Sequence, residues 1–248
     1  MSEIDTKNNT REILSDLSLL PCTRNLSSQA REKIATTSVK KKFSLNEYIW
    51  ESGASGDFVA IVTKGLIEVV RFSADQEGEL LMGIFGRSDV LGLSAVTKKI
   101  SYPGSAKCLK NSTEIIKFYL RTALQSSETE IASEISLWVR DMLLLHEQVL
   151  YEKIDILNAK TVARKVYELL NHLVRRFGFF TPDSYCCVDV GITKSQIAKM
   201  TDTRVETIIR LFSQWEKQGI VHWKKEGIVI PDMRCLAKLV YFQEKNKK

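Results

Sequence analysis

Apolar and polar positions change their period along this chain, and the changes divide it. Between Phe43 and about Phe118 the texture is that of strands. Short β-type runs appear at Tyr48-Ile49-Trp50, Phe58 to Val62, Leu66 to Phe72, Leu80 to Phe85 and Ile115 to Phe118. Gly53, Gly56, Gly65, Gly78, Gly86, Gly92 and Gly104 punctuate them at intervals that predict an antiparallel barrel or sandwich. Gly65 separates two strong runs, a tight-turn position. Upstream, residues 1–12 are polar and are expected to be mobile, with a short helix from Glu12 to Leu19 that Pro21 breaks. Ser27 to Ala35 predicts a second short helix, and Lys40-Lys41-Lys42 a solvated run just before a strand.

From about Ser126 glycine disappears until Gly178, and the period becomes helical. Trp138, Met142, Leu145, Val149 and Ile156 form one row, interrupted by Glu152. Val139, Leu143, Leu150, Ile154 and Leu157 form its neighbour. So broad an apolar surface on one long helix cannot be left in water. One flank is expected to cover the barrel. The other, carrying Trp138, Met142, Leu145, Val149 and Ile156, is expected to pair with a second copy as in a coiled coil, the alternative being a core helix within one chain. A hinge follows near Asn158-Ala159-Lys160. Thr161 to Phe177 then predicts a helix with Val162, Val166, Leu169, Leu170 and Leu173 on one side. Gly178 to Val190, with Pro182 and Cys186-Cys187, is a loop-and-strand passage.

Residues 192–212 predict two helices joined by a tight turn. Thr193 is placed to cap the first, whose apolar face carries Ile197 and Met200. Asp202 falls at the turn, where a left-handed backbone is wanted. Thr203 and Glu206 have capping-box spacing for the second helix. There Ile208, Leu211, Phe212 and Trp215 face inward, leaving Val205, Glu206, Ile209 and Arg210 on the opposite face. Gly219 terminates that helix. Val221-His222-Trp223 and Ile228-Val229-Ile230 then flank Lys224-Lys225-Glu226-Gly227 as a small hairpin, and Arg234 to Phe242 predicts a last short helix.

Composition sharpens this division. Of the formal net charge of +6, residues from Lys160 onward carry +8, with 17 Lys and Arg against 9 Asp and Glu. The basic excess therefore lies with the proposed pair of helices, as phosphate binding requires. A hydrophobic content of 44% with 27% charge fits a soluble globular chain. No signal-like N-terminus or membrane span is read, so a cytoplasmic protein is expected. Five cysteines, an odd number, argue against a secreted disulfide framework. No phosphate-binding glycine loop, nucleophile motif or histidine-rich metal set is present, so neither an enzyme nor a metal or other cofactor is expected.

This order of parts resembles the cyclic-AMP receptor / fumarate-nitrate regulator (CRP/FNR) superfamily of bacterial transcription factors, from about Leu17 to Leu239. The most specific stretch is Val205-Glu206-Thr207-Ile208-Ile209-Arg210 followed by Gln218-Gly219-Ile220-Val221, closer to the fumarate-nitrate branch. The resemblance implies an α+β chain. An N-terminal antiparallel β-roll of the jelly-roll, cyclic-nucleotide-binding-like type would span 1–125, a long dimerisation helix 126–158, and a C-terminal winged helix-turn-helix 159–248. In the roll, Gly65, Asp89 and Gly92 match family turn positions. Where cyclic-AMP binders resemble one another in a ribose-holding Glu and a phosphate-clamping Arg-Ser pair, this chain has Leu93 and Gly104-Ser105. A cyclic phosphodiester buried there would lack its guanidinium. Cys22 is the sole N-terminal cysteine and Ile116 stands at the roll position, too few thiolates for the iron–sulfur cluster of oxygen-sensing relatives.

The function expected is a homodimeric, sequence-specific DNA-binding regulator that reads an inverted repeat, has RNA polymerase as a partner, and answers to an effector the sequence leaves unspecified. Arg210 would donate to guanine O6 and N7, and Glu206 would either accept from cytosine N4 or serve the cap. Val205 and Ile209 would meet thymine methyl groups or fill space. Thr193, Ser195, Lys199, Arg204, Thr207, Lys224 and Lys225 are candidate phosphate contacts. Cys22 and Cys108 are a candidate redox pair, against the alternative of two buried thiols. The competing reading is a dimeric sensor or scaffold for protein partners with a vestigial helix-turn-helix.

Overall fold

The computed structural model describes residues 3–72, 79–98, 100–181, 185–224 and 227–238. Gly78, Pro182, Lys225, Glu226 and the end of the expected last helix lie outside the described residues. The chain divides into two compact units, Met1–Glu147 and Gln148–Lys248.

The first unit opens with helix α1 (Glu3–Leu19), a 3₁₀ turn (Pro21–Thr23) and helix α2 (Ser28–Thr36). α1 starts well before the expected Glu12, because no Pro or Gly interrupts the turns ahead of its buried anchors Ile13 and Leu17. Eight strands follow: β1 (Ser38–Phe43), β2 (Tyr48–Trp50), β3 (Val59–Lys64), β4 (Ile67–Phe72), β5 (Glu79–Phe85), β6 (Val90–Leu91), β7 (Ser105–Cys108) and β8 (Thr113–Phe118). Helix α3 (Leu93–Lys98) interrupts them, and α4 (Leu120–Gln125) and α5 (Thr129–Asn158) come after. The strands form two antiparallel sheets, ordered β1-β8-β3-β6 and β2-β7-β4-β5.

The first sheet is covered on both faces. Along β3, Val59 and Ile61 point into a cluster with Ile13, Leu17, Ile34, Trp138 and Met142 from the helices. Ala60 and Val62 point the other way, into a cluster with Trp50, Ile67, Tyr102, Ala106 and Cys108 from the second sheet. That double burial explains why Val59 to Val62 are apolar without alternation.

Several expectations are corrected by this packing. Lys40, Lys41 and Lys42 lie inside β1 and pair with β8. Lys40 is half-buried and paired: its ammonium sits 2.8 Å from Glu12, 2.7 Å from Asp16 and 3.3 Å from Glu114. Burial works against its charge, but those three carboxylates hold its pKa above the ordinary lysine value. Trp138 and Met142, expected on a seam between copies, are 5% and 9% exposed and face this unit's own core. Trp138 meets Phe118 edge-on, and its Nε1 donates to the carbonyl of Cys22 at 2.7 Å. Leu145 of that expected row is exposed, and the other exposed apolar side chains of α5 are Leu137, Leu144, Leu150, Tyr151 and Ile154. Cys22 and Cys108 are not a pair either. Both are free, and they pack against different clusters on opposite faces of the first sheet. Burial raises both thiol pKa values, that of Cys108 to about 11, which keeps them protonated and slow to exchange.

The second unit, beyond the end of α5, contains α6 (Val162–Phe177), β9 (Gly178–Phe180), β10 (Cys186–Val188), α7 (Lys194–Thr201), α8 (Val205–Lys217), β11 (His222–Lys224) and β12 (Gly227–Ile230), with residues 233–238 helical. Its sheet is ordered β11-β12-β10-β9. Val166, Leu169, Leu170 and Leu173 of α6 are fully buried, and so are Ile208, Phe212 and Trp215 of α8.

Replacing Lys40 by Met leaves Asp16 and Glu114, both largely covered, without their cation. Because the site retains some solvent, the loss should fall near the lower end for broken ion-pair networks, about 1–3 kcal/mol, read as a lowered midpoint in chemical denaturation.

Candidate nucleic-acid interface

The two helices α7 and α8 are set by local chemistry at each end. At the start of α7 a full capping box forms. The Thr193 hydroxyl accepts from the Gln196 backbone N–H at 3.1 Å, and the Gln196 side-chain Oε1 accepts from the Thr193 backbone N–H at 2.9 Å. Ile197, Ala198 and Met200 are buried along its inner face. The helix stops at Asp202, whose backbone is left-handed at φ +47°, ψ +61°. The N–H groups of Asp202 and Thr203 both return to the carbonyl of Ala198.

The second cap differs from the expectation. α8 has Arg204 at its N-cap with no side-chain bond, so Thr203 lies one residue outside the cap and its hydroxyl donates to the Thr201 carbonyl at 3.1 Å. Glu206 is therefore not held in a capping box. It is exposed, as are Ile209 and Arg210, while Val205 is half-buried. Ile209 is 45% exposed, an apolar side chain on an otherwise polar face. Leu211, expected inside, is half-buried at the flank.

The inner face of α8 is aromatic. Phe212 lies 5.8 Å from Trp215 and 5.1 Å, edge to face, from Trp223 on β11. Gly219 adopts φ +67°, and the N–H of Ile220 returns to the Trp215 carbonyl. The Glu216 carboxylate accepts from the Trp223 N–H at 3.0 Å, which joins the end of α8 to the β11–β12 hairpin. Where β12 begins, Gly227 passes so close to β10 that an added Cβ would lie 2.2 Å from the Val188 carbonyl oxygen.

Ser195, Lys199, Arg204 and Lys224 are exposed, Thr207 is half-buried, and the Thr193 hydroxyl is already engaged in its cap. Sequence reasoning missed Lys194. Its ammonium lies 5.3 Å from the centre of the Trp223 ring, and with Gly191, Thr193, Trp223, Lys224 and Gly227 it lines an open depression of about 570 Å³ between α7 and the hairpin. The available signals were its place directly after the Thr193 cap and the aromatic in the hairpin strand.

In the first unit, Leu93 and Gly104, the positions that the resemblance aligns with nucleotide contacts, are occupied by packing. Leu93 is 1% exposed within the helix-side cluster. A Cβ on Gly104 would stand 2.6 Å from the Val70 carbonyl oxygen, so this backbone has no room for an arginine there. Trp50 donates from Nε1 to the Gly104 carbonyl at 3.0 Å and stacks on Tyr102 at 4.3 Å, with Phe58 edge-on at 5.7 Å.

Among known proteins, residues 163–239 match the model of the Crp-like helix-turn-helix domain. The anaerobic regulatory protein of Bacillus subtilis (strain 168) is 23% identical over 218 residues, which are 86% of this chain and 89% of that protein. FixK2 from Bradyrhizobium japonicum shares the fold with a TM-score of 0.66 at 17% identity, over 82% of this chain and 96% of that one. A transcriptional regulator of the CRP family from Thermus thermophilus shares it with a TM-score of 0.65 at 14% identity, over 80% and 95%. No helix among the described residues is long and apolar enough to cross a membrane. The chain thus carries a Crp-like helix-turn-helix domain over residues 163–239 and shares the α+β fold of known transcriptional regulators over most of its length.

Proposed function

We propose that the protein acts as a homodimer that binds an inverted-repeat DNA site, with α8 of each copy in a major groove. The observation that carries this reading is the exposed row Glu206, Ile209 and Arg210 on α8, in a unit where Lys199, Arg204 and Lys224 are also exposed. Arg210 is the guanine reader, since its fork matches O6 and N7. Glu206, released from capping, accepts from cytosine N4 one turn earlier. Ile209 supplies an apolar contact to a thymine methyl, and Val205 flanks it. Ser195, Lys199, Arg204, Thr207 and Lys224, with Lys225, make the phosphate contacts that fix register. Lys194 belongs with them.

The dimer seam is assigned to the exposed side chains of α5. Leu137, Leu144 and Tyr151 recur every seven residues, the period of a coiled coil, with Leu145 and Ile154 beside them and Val149 at the margin. RNA polymerase is the partner through which such a regulator acts. The signal is not cyclic AMP by the family's usual contacts, because Gly104 admits no phosphate clamp and Trp50 and Tyr102 fill the adjoining space.

Two measurements check these assignments. Arg210→Ala should lower affinity for a selected duplex by about 1–3 kcal/mol while leaving weak, salt-sensitive binding in place, followed by fluorescence anisotropy across a salt series. Protected footprints that survive the substitution would remove Arg210 from the reader, and affinity without salt dependence would favour the scaffold reading. Leu144→Arg should yield a monomer in analytical ultracentrifugation. Loss of the second half-site should then weaken binding to the full repeat by about 10²–10⁴-fold.

A further inference from the structure

The apolar row of α5 is broken near its end by two adjacent charged residues, Glu152 and Lys153, and both are anchored within the second unit. The Glu152 carboxylate meets His172 Nδ1 and accepts from Arg175 of α6 at 2.9 Å. Lys153 is buried, only 9% exposed, and its ammonium donates to the backbone carbonyl of Met200 at 2.8 Å.

That carbonyl belongs to the last turn of α7, where helix geometry leaves acceptors unpaired. The two N–H groups of the following turn both go to Ala198. Met200 is left to a donor from elsewhere in the fold, and a side chain of α5 supplies one. The Asp202 carboxylate, at the left-handed residue of the turn, adds a favourable charge, but burial dominates and pushes the Lys153 pKa down to about 8. Holding an ammonium in this place therefore costs stability. A methionine of similar length would remove that cost but leave the Met200 carbonyl unpaired. A charge kept against its solvation, on the carbonyl beside a turn that orients α8, fits a positional role better than a packing one.

We propose that Lys153 is a positioning residue for DNA reading. By gripping the C-terminal carbonyl of α7 beside Asp202, it fixes the turn that aims α8, and so makes sequence discrimination depend on the end of α5. The proposal rests on the DNA-binding reading above. Base contacts require a reader held within about 0.5 Å of its productive geometry, whereas phosphate contacts from flexible lysines tolerate more. Losing the grip should therefore cost specific binding and spare non-specific binding.

The experiment compares full-length wild type, Lys153→Met and Lys153→Arg. Hydrogen exchange by mass spectrometry, without DNA, should show about tenfold faster exchange in Lys153→Met confined to peptides covering residues 200–208, with little change in melting temperature because the relieved burial of the ammonium and the unpaired carbonyl offset one another. Affinity for a selected duplex should fall about tenfold while affinity for a scrambled duplex at the same salt is unchanged. Lys153→Arg, which keeps a donor, should recover part of both effects. Unchanged exchange in the turn overturns the proposal. So does faster exchange throughout the unit with a lowered melting temperature, or equal loss on both duplexes, because each marks a merely structural residue. If wild type itself does not distinguish the duplexes, the DNA-reading proposal fails, and the exchange data still decide whether Lys153 fixes the turn.

Discussion

One helix has to satisfy two sets of neighbours with a single backbone, and much else in the molecule follows from how α5 divides its surface. Ile135, Trp138, Val139 and Met142 lie along one side of its N-terminal half and are withdrawn into the core of the first unit. Trp138 is the centre of that contact. Its ring abuts Phe118 of β8, and its N–H holds the carbonyl of Cys22, whose own N–H is held by the Ser88 hydroxyl at 2.8 Å. A single indole thus brings the sheet, the N-terminal turn and the long helix to one place. Toward the other end, Ile156 is buried, and Glu152 and Lys153 take polar partners from α6 and α7. A helix apolar over so much of its circumference needs cover on more than one side, and the leucines left exposed mark the side its own chain does not supply.

How much of this is legible in the sequence depends on whether the deciding contact is local. The turn between α7 and α8 is legible because Thr193 and Asp202 act on backbone groups a few residues away. The second cap reads one position off. Thr203 and Glu206 have the right spacing, but the left-handed residue at 202 delays the helix until Arg204 has become its cap. β1 is hidden by its three lysines, since its place is set by pairing with β8 and its Lys40 by carboxylates on α1 and β8. The two apolar rows of α5 are visible, yet periodicity does not say which neighbour each row meets, and for Trp138 and Met142 it points to the wrong one. Lys153 cannot be picked out at all. A lysine on a helix ordinarily reaches water, and the acceptor that retains this one lies 47 residues further along.

In the first unit, the ground around Gly104 is closed by packing without a gap being left behind. Gly104 has no space for a side chain because the Val70 carbonyl occupies it, and the carbonyl of Gly104 itself is taken by Trp50. Trp50 in turn is stacked by Tyr102, which also meets the backbone of Phe58. The missing arginine and the aromatic stack are thus one arrangement. Reinstating the arginine alone would clash with a strand before it met any phosphate.

The bond that the backbone N–H of Trp223 donates to the Glu216 carboxylate has a consequence for how an encounter with a duplex would proceed. Trp223 also receives Phe212 against its face and Lys194 above its ring, so the hairpin and both helices share one side chain. Elements joined in this way do not have to be ordered separately when a ligand arrives. Their relative freedom is surrendered during folding, when the aromatic core closes, and the association step is spared that entropy. The same rigidity makes the outward surface intolerant of a partner whose groove width or curvature departs from what it was folded to meet.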